Sequence, residues 1–254
     1  MEIAKKKAVV VGGASGMARA TAEMLRARGA DIAILDLANS AGDEAAAEIG
    51  GGTTFHPCDI TDDTGVEAAL ADAMGQLGGL HIAVNTAGGG IAKKTLSKSG
   101  PHPLDDFRGV IELNLVATFN LNRLQASYMS TNSDEDEERG VIINTASIAA
   151  FEGQIGQVAY AAAKAGIVGM TFTMARDLGS YGVRVNAIAP SLFHTGITSG
   201  IPADYADALT AGAAFPKRMG RPEEYARLAL AIIENPMLNG GTIRLDGGQR
   251  FAPK

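Results

Sequence analysis

Three side chains in the second half of the chain have the types and spacing needed to move a proton to or from a substrate oxygen. Tyr160 and Lys164 stand four positions apart, which places them on one face of a helix. A free phenol has a pKa of about 10, and a neighbouring ammonium is expected to lower it, so that Tyr160 can exchange a proton near neutral pH. Ser147, which follows the apolar run 141–143, can hydrogen-bond the same oxygen. A tyrosine and a lysine at this spacing also arise by chance, as an exposed aromatic and a solvated lysine.

A glycine-rich turn near the start of the chain is typical of phosphate binding. Gly12, Ser15 and Gly16 follow the first apolar run, where a strand is predicted to turn into a helix. Glycines at such a turn let the backbone approach a pyrophosphate, and the first turn of the helix offers unpaired N–H donors. Ordinary turn chemistry without a ligand is the alternative interpretation.

Asp36 is a second residue that indicates dinucleotide binding. It stands at the predicted carboxyl end of the second strand, where an acid accepts hydrogen bonds from the hydroxyls of a ribose. The carboxylate would repel a 2′-phosphate, and residues 35–39 contain no arginine to bind one. The sequence therefore predicts NAD rather than NADP, unless Asp36 only closes a turn or caps a helix.

The elements that must position these residues alternate between strand-like and helix-like runs, which is typical of βα units around a buried parallel sheet. The predicted strands are 8–11, 32–35, 53–56, 81–84, 141–144, 183–188 and 242–245. The predicted helices are 19–28, 43–49, 62–76, 104–129, 157–178 and 222–234. We predict the α/β class and, over residues 1–254, a single-domain Rossmann-like doubly wound sheet of seven parallel strands with helices on both faces.

Two segments interrupt this alternation. The acidic cluster 134–138 is predicted to be a solvated loop. Residues 191–215 are long for a loop in a compact domain, and such loops are often lids, so we predict a substrate-binding loop at about 191–215. A short surface helix that covers the core is the alternative for this second segment.

Composition narrows the classes of function. A net charge of −6 gives no electrostatic reason to expect nucleic acid as a partner. The single cysteine, Cys58, rules out an internal disulfide and is typical of a reducing compartment. Four scattered histidines and one cysteine offer no ligand spacing, so no metal site is predicted. The sequence shows neither a signal peptide nor a run of about 18 apolar residues, so we expect a cytoplasmic protein without a membrane partner.

On these residues the chain resembles the short-chain dehydrogenase/reductase family over essentially its whole length. The motifs that carry the resemblance are the turn 11–18, the segment 85–88, Asn114, Ser147, Tyr160, Lys164 and the pair Pro190-Ser191. The resemblance implies hydride transfer between NAD and a secondary alcohol or ketone. It assigns Tyr160 as the acid/base, Lys164 as a partner of the nicotinamide ribose, Ser147 to the substrate oxygen, and Asn114 to a water in the proton relay.

The resemblance also assigns the cofactor contacts. They are Gly12, Ser15, Gly16, Met17, Asp36, Asp59, Ile60, Asn85, Thr86, Ala87, Gly88, Tyr160, Lys164, Pro190, Phe193 and Thr195. Asp59 and Ile60 would touch the adenine ring, and Thr195 the carboxamide. The family's usual Thr, Gly, Asn and Gly are replaced by Val11, Ala18, Thr86 and Ser191. These departures bear on cofactor affinity and leave the reactive residues in place.

A narrower resemblance connects the chain to the 3-hydroxyacyl-CoA dehydrogenase type II group, also called 17β-hydroxysteroid dehydrogenase type 10. It rests on residues 144–154, 235–240 and an insertion around 93–95. It implies oxidation of short or branched 3-hydroxyacyl-CoA in fatty acid metabolism, and a homotetramer. Gln157 would join Ser147 and Tyr160 at the substrate, or else cap a helix. The lysines at 93, 94 and 98 would meet CoA phosphates, or else be solvated.

Two other functions stay open. One is a dehydrogenase of hydroxysteroids or other secondary alcohols, or a 3-oxoacyl-carrier-protein reductase, although Asp36 speaks against the reductases that use NADPH. The other is a cofactor-binding scaffold without catalysis, because a fold does not fix a function. The presence of both Tyr160 and Lys164 disfavours the scaffold.

Overall fold

The computed structural model of the chain describes residues 1–133, 137–196 and 209–252. In this part of the chain seven parallel strands form one sheet, in the order β3-β2-β1-β4-β5-β6-β7. The strands are β1 Lys7–Val11, β2 Asp31–Asp36, β3 Thr54–Pro57, β4 Ile82–Asn85, β5 Gly140–Thr145, β6 Val183–Pro190 and β7 Thr242–Leu245. Their ends differ from the predicted ones by a few residues, as is usual for element boundaries.

The helices lie on both faces of this sheet. They are α1 Gly16–Ala27, α2 Gly42–Ile49, α3 Asp63–Leu77, α4 Leu104–Ile111, α5 Ala117–Met129, α6 Val158–Leu178 and α7 Pro222–Glu234. Alternate residues of each strand point to opposite faces, so Val9 packs with Leu70 of α3 on one face, and Val10 with Leu25 of α1 on the other. The predicted α/β class and the doubly wound, Rossmann-like sheet are confirmed.

The strand register places the carboxyl ends of three neighbouring strands next to one another. Val11 pairs with Asn85 and Asn85 pairs with Asn144, so the carboxyl ends of β1, β4 and β5 lie side by side. The chain leaves β1 for β2 on one side and passes to β4 on the other. Such a switch in direction leaves a crevice beyond the strand ends, where ligands of open parallel sheets bind.

The predicted helix 104–129 is interrupted. A π-helical turn, Glu112–Val116, separates α4 from α5 and contains Asn114. The fully buried Asn114 donates from Nδ2 to the carbonyls of Gly89 and Val110, at 2.6 and 2.9 Å. π-turns inside helices often occur at functional sites. The apolar pattern continues through the turn, so the sequence predicted one uninterrupted helix.

Glu138, at the end of the acidic cluster, is less solvated than predicted. Residues 134–136 lie outside the described part of the chain. Glu138 forms an ion pair of 2.7 Å with Arg184, and both side chains are at least nine-tenths buried. Arg184 also donates to the carbonyls of Ile232 and Ile233. The prediction of a solvated loop is therefore wrong for Glu138, because the buried guanidinium requires an anion.

Helix α6 with the turn after it, Val158–Tyr181, is long and apolar enough to cross a membrane by length and composition alone. In the structure Ile167 of this helix packs against Ala146, Ala187 and Ala189. A core helix of a soluble protein passes the same test, so this helix is weak evidence for a membrane.

Candidate active site

A cavity of about 660 Å³ opens beyond the carboxyl ends of β1, β2, β4, β5 and β6. It brings together nearly all the side chains that the sequence singled out. Those that line it are Gly12, Ser15, Gly16, Met17, Asp36, Asp59, Ile60, Thr86, Ala87, Gly88, Ser147, Gln157, Tyr160, Lys164, Pro190, Phe193 and Thr195. Asn85 and Asn114 are the exceptions, and both lie behind the wall.

The Asn85 side chain supports the cavity from behind and does not line it. Its side chain is 4% exposed and lies in a cluster of four amides, with Nδ2 within 3.0 Å of the side-chain oxygens of Asn122, Gln125 and Asn144. The cluster joins the ends of β4 and β5 to α5. Sequence reasoning missed it, because Asn122 and Gln125 look like the polar face of a surface helix.

Asn114 also lies behind the cavity wall and fixes the backbone of Gly89, which lines the cavity. Its Oδ1 accepts from Gly89 N at 3.1 Å, so the side chain binds both polar groups of Gly89. A Cβ at position 88 would lie 2.6 Å from Asn114 Oδ1 and 3.4 Å from Lys164 Nζ. The wall at Gly88 is therefore a close approach that only glycine permits.

The glycine-rich turn forms a cradle for an anionic group. A Cβ at Gly12, whose φ is +84°, would lie 2.8 Å from Thr86 Oγ1, and one at Gly16 would lie 3.2 Å from Thr195 Cβ. Ser15 precedes α1 and its side chain makes no capping hydrogen bond. The N–H groups of the first turn of α1 are therefore free of that cap, and Ser15, Gly16 and Met17 all line the cavity. Such a helix start binds phosphate groups.

Two of the departures from the family pattern, Val11 and Thr86, contact each other. Val11 lacks the usual hydroxyl, and Thr86, which replaces an asparagine, donates both its Oγ1 and its backbone N to the Val11 carbonyl at 3.0 Å. The strand ends of β1 and β4 thus remain joined beside the turn. Ala18, which replaces a glycine, is 1% exposed and packs in the core.

Asp36 holds the glycine-rich turn and also borders the cavity. Its Oδ2 accepts from Ala14 N at 3.0 Å and its Oδ1 from Leu37 N at 2.8 Å, so the carboxylate holds the glycine-rich turn. The side chain also lines the cavity. A carboxylate offers about four lone-pair sites, so these two bonds leave acceptor capacity towards the cavity.

The reactive residues come from β5 and α6. Ser147 follows β5, and its Oγ accepts from Ala149 N at 3.1 Å in the short 3-10 turn Ile148–Ala150. Tyr160 and Lys164 lie in the first two turns of α6, with Lys164 Nζ 5.5 Å from the centre of the Tyr160 ring. Lys164 is 4% exposed and donates to the carbonyl of Thr145 at 2.9 Å.

Burial dominates the electrostatics of these side chains. It lowers the pKa of the Lys164 ammonium to about 8. It raises the pKa of the Tyr160 phenol, and the hydrogen bond with the Ser147 hydroxyl lowers that pKa in part. The net shift of the Tyr160 pKa is upward, because the removal of the phenol from water outweighs the hydrogen bond with Ser147.

Part of the cavity wall is apolar. Gly89, Gly90, Ile91 and Ala92 line it together with Leu113 and Leu192. Sequence reasoning missed the first five, although 89–92 directly follow a recognised motif and 113 precedes Asn114. Gln157 lines the wall, and its Oε1 accepts from Gln154 N at 3.2 Å. Its side chain makes no capping hydrogen bond to α6.

A smaller depression of about 450 Å³ shares Gln157 with the cavity. Lys94 lines it, whereas Lys93 is ion-paired with Asp106 and Lys98 is exposed. The predicted substrate loop is described at 191–196 and 209–215, and residues 197–208 lie outside the described part. Phe193 in this loop forms a β-bridge with Gly220. No group of three or more potential metal ligands occurs among the described residues.

Comparison with known proteins agrees with this geometry. A family model described as short chain dehydrogenase matches residues 6–206. The chain is 51% identical to human 3-hydroxyacyl-CoA dehydrogenase type-2, over 97% of this chain and 95% of that protein. It is 48% identical to the protein of the same name from Drosophila melanogaster, over 96% and 97%.

Two solved structures are similar. A 3-hydroxyacyl-CoA dehydrogenase type-2 from Mycobacterium avium superposes with a TM-score of 0.92 at 43% identity, over 98% of this chain and 97% of that one. A 7α-hydroxysteroid dehydrogenase in complex with NADH and 7-oxo-glycochenodeoxycholic acid superposes with a TM-score of 0.88 at 28% identity, over 98% and 95%.

Proposed function

The chain belongs to the short-chain dehydrogenase family, and from this premise we propose that it is an NAD-dependent oxidoreductase of short or branched 3-hydroxyacyl-CoA and 3-oxoacyl-CoA. The observation that carries the proposal is one cavity that contains Ser147, Tyr160 and Lys164 beside a glycine cradle and Asp36. The names of the relatives at about half identity support the acyl-CoA substrate.

The residues present fit a nicotinamide dinucleotide. The cradle at Gly12 and Gly16 would hold the pyrophosphate, because it borders the cavity at the start of α1, where backbone N–H groups bind phosphate. Asp36 would accept from the adenosine ribose, and Asp59 and Ile60 would border the adenine. Lys164 would donate to the nicotinamide ribose. When bound, the cofactor supplies hydride acceptance and donation.

The chain's own residues would supply orientation and proton transfer. Ser147 would donate to the substrate oxygen and fix the C3 carbon. Tyr160 would take the hydroxyl proton in oxidation and return it in reduction. The Lys164 ammonium would stabilise the phenolate that results, because an opposite charge nearby favours the ionised form. Asn114 would hold a relay water, and Gln157 would border the acyl chain.

The CoA part of the thioester would extend out of the cavity past its apolar wall at residues 89–92. The smaller depression with Lys94 shares Gln157 with the cavity and offers a cation to a CoA phosphate. Lys93 is a weaker candidate, because Asp106 already neutralises it.

We also propose a homotetramer in the cytoplasm. Large apolar side chains on α5, α6 and the π-helical turn support contacts between copies, since Phe119, Phe172 and Val116 are 51%, 51% and 40% exposed. Light scattering on the eluted protein would give four chain masses, and a monomer would exclude the tetramer. Fractionation of cells would locate the protein.

The deciding experiment is steady-state reduction of acetoacetyl-CoA and 2-methylacetoacetyl-CoA with NADH or NADPH. Turnover with NADH in preference to NADPH is expected, because the Asp36 carboxylate repels a 2′-phosphate. No turnover of either thioester would contradict the proposal that the substrate is an acyl-CoA. Turnover of a hydroxysteroid instead would favour the alternative to which the second structural relative points.

A further inference from the structure

A fully buried hydroxyl pair lies directly behind the reactive residues. Tyr225, in the first turn of α7, is 0% exposed, and its phenol shares a hydrogen bond of 2.7 Å with Thr145 Oγ1. Thr145 is the last residue of β5. Its side chain points to the same face of the sheet as Ile143, which is the face that α7 covers.

Thr145 connects this pair to the opposite face of the sheet. Its backbone carbonyl accepts from Lys164 Nζ at 2.9 Å, and Lys164 lies on α6. The chain then continues through Ala146 to Ser147. Thr145 therefore binds Lys164 through its carbonyl and lies two positions before Ser147, while its side chain is hydrogen-bonded to Tyr225 of α7.

The start of α7 is itself fixed. Glu224, next to Tyr225, accepts from two nitrogens of Arg218 at 2.7 and 2.9 Å and from Arg221 N at 2.8 Å. The guanidinium holds the pKa of Glu224 at about 2, so this anchor is charged through the physiological range. Burial raises the pKa of the Tyr225 phenol, so its O–H stays available to the hydroxyl pair.

We propose that Tyr225 is a positioning residue of the active site, which fixes the Thr145 carbonyl and through it Lys164 Nζ. A phenylalanine would fill the same volume in the core, so packing alone does not require the hydroxyl. A buried hydroxyl must have a partner, and here the partner is the residue that orients the lysine. The proposal rests on the proposed function, because it assigns a role within that reaction.

The test compares Tyr225→Phe, Thr145→Val and the double variant with the unchanged protein. Each single variant is expected to lower kcat for acetoacetyl-CoA about fivefold, the net effect of one hydrogen bond, with KM for the thioester nearly unchanged. The double variant should be no worse than the more affected single one, because the two hydroxyls act as a unit. Thr145→Ser keeps the hydroxyl and should restore the rate.

A second readout needs no turnover. The pKa of Lys164, measured by NMR of protein labelled at lysine Cε and assigned with Lys164→Arg, should fall in Tyr225→Phe. The sign follows because a poorly placed carbonyl stabilises the ammonium less. The alkaline limb of the activity profile should move to lower pH with it.

Thr171→Val is the matched control. Thr171 is a buried hydroxyl on α6 whose Oγ1 donates to Ile167 O at 2.7 Å, away from the cavity. Its loss should lower the melting temperature without changing kcat or the Lys164 pKa. A Tyr225→Phe protein that changes only in melting temperature would overturn the proposal. An inactive unchanged protein would refute the proposed function, and the Lys164 pKa would then decide the positioning role by itself.

Discussion

Tyr160 is the residue on which the proposed proton transfer depends most directly. Tyr160→Phe removes one oxygen and leaves the packing of the ring against Gly90 in place. We expect kcat to fall about 100-fold or more, the usual contribution of a positioned acid/base, with the NADH dissociation constant changed little. Fluorescence titration with NADH and steady-state rates measure the two quantities.

Tyr181→Phe is the control for Tyr160, because Tyr181 is 52% exposed and follows the far end of the same helix. It should leave both quantities unchanged. Undiminished turnover in Tyr160→Phe would show that another group exchanges the proton.

The charge on Lys164 sets an expected pH dependence. Its pKa is lowered from 10.5 to about 8, so the protein holds the ammonium below that pH and loses it above. We expect kcat/KM for the cofactor, which reports groups of the free enzyme, to fall as the pH rises through about 8. The exposed Lys5, replaced by Gln, should leave this limb in place. An alkaline limb above pH 10, near the lysine reference value, would contradict the effect of burial.

At the scale of elements, the π-helical turn and the segment 88–90 form one unit. Gly88→Ala would place a Cβ 2.6 Å from Asn114 Oδ1 and 3.4 Å from Lys164 Nζ. We expect a loss of stability of about 1–3 kcal/mol from overpacking, together with a lower kcat because Lys164 and the wall move. Urea unfolding and steady-state rates measure both.

Gly75→Ala is the matched control for Gly88. Gly75 is exposed within α3, and nothing lies within 4 Å of an added Cβ. Alanine there should stabilise the protein by about 0.5–1 kcal/mol through helix propensity and leave kcat unchanged. Equal effects at the two positions would show that close approach at Gly88 is unimportant.

The elements also show which parts of the structure were predictable. The strands and most helices were predictable, because the apolar patterns that indicate them are local in sequence and do not depend on which element packs against them. The π-helical turn was not, since one extra residue in a helical turn leaves no mark on the apolar pattern. Asn114 was identified through the family motif, but its two hydrogen bonds with Gly89 are seen only in the structure.

At the scale of the whole molecule, what sequence reasoning missed is mostly long-range pairing. Asn122 and Gln125 look solvated in sequence and are buried against Asn85 and Asn144. Tyr225 looks like a helix residue with no special role, and it contacts Thr145, 80 positions away. The local sequence around a polar residue does not indicate its hydrogen-bond partner. The partner is known only from the fold, because the sheet brings distant segments together.

The pair between Glu138 and Arg184 is the long-range contact with the clearest consequence for stability. Glu138→Gln leaves two cations without their shared anion: the guanidinium of Arg184, which is 6% exposed, and the amino group of Met1, 3.0 Å from Glu138. We expect a loss of about 3–5 kcal/mol in the free energy of unfolding, measured by urea titration at pH 7, because an uncompensated buried charge remains. The loss should change little with salt, since buried pairs are poorly screened.

The exposed pair between Arg28 and Glu234 supplies the comparison, with side chains 57% and 40% exposed. Glu234→Gln should cost less than about 1 kcal/mol, and salt should reduce that cost further. Because neither pair lines the cavity, kcat of the folded protein should be the same in both variants. Equal losses of stability would mean that burial does not strengthen the Glu138 contact. A loss of kcat in Glu138→Gln would instead mean that β6, which carries Arg184, transmits strain to the site.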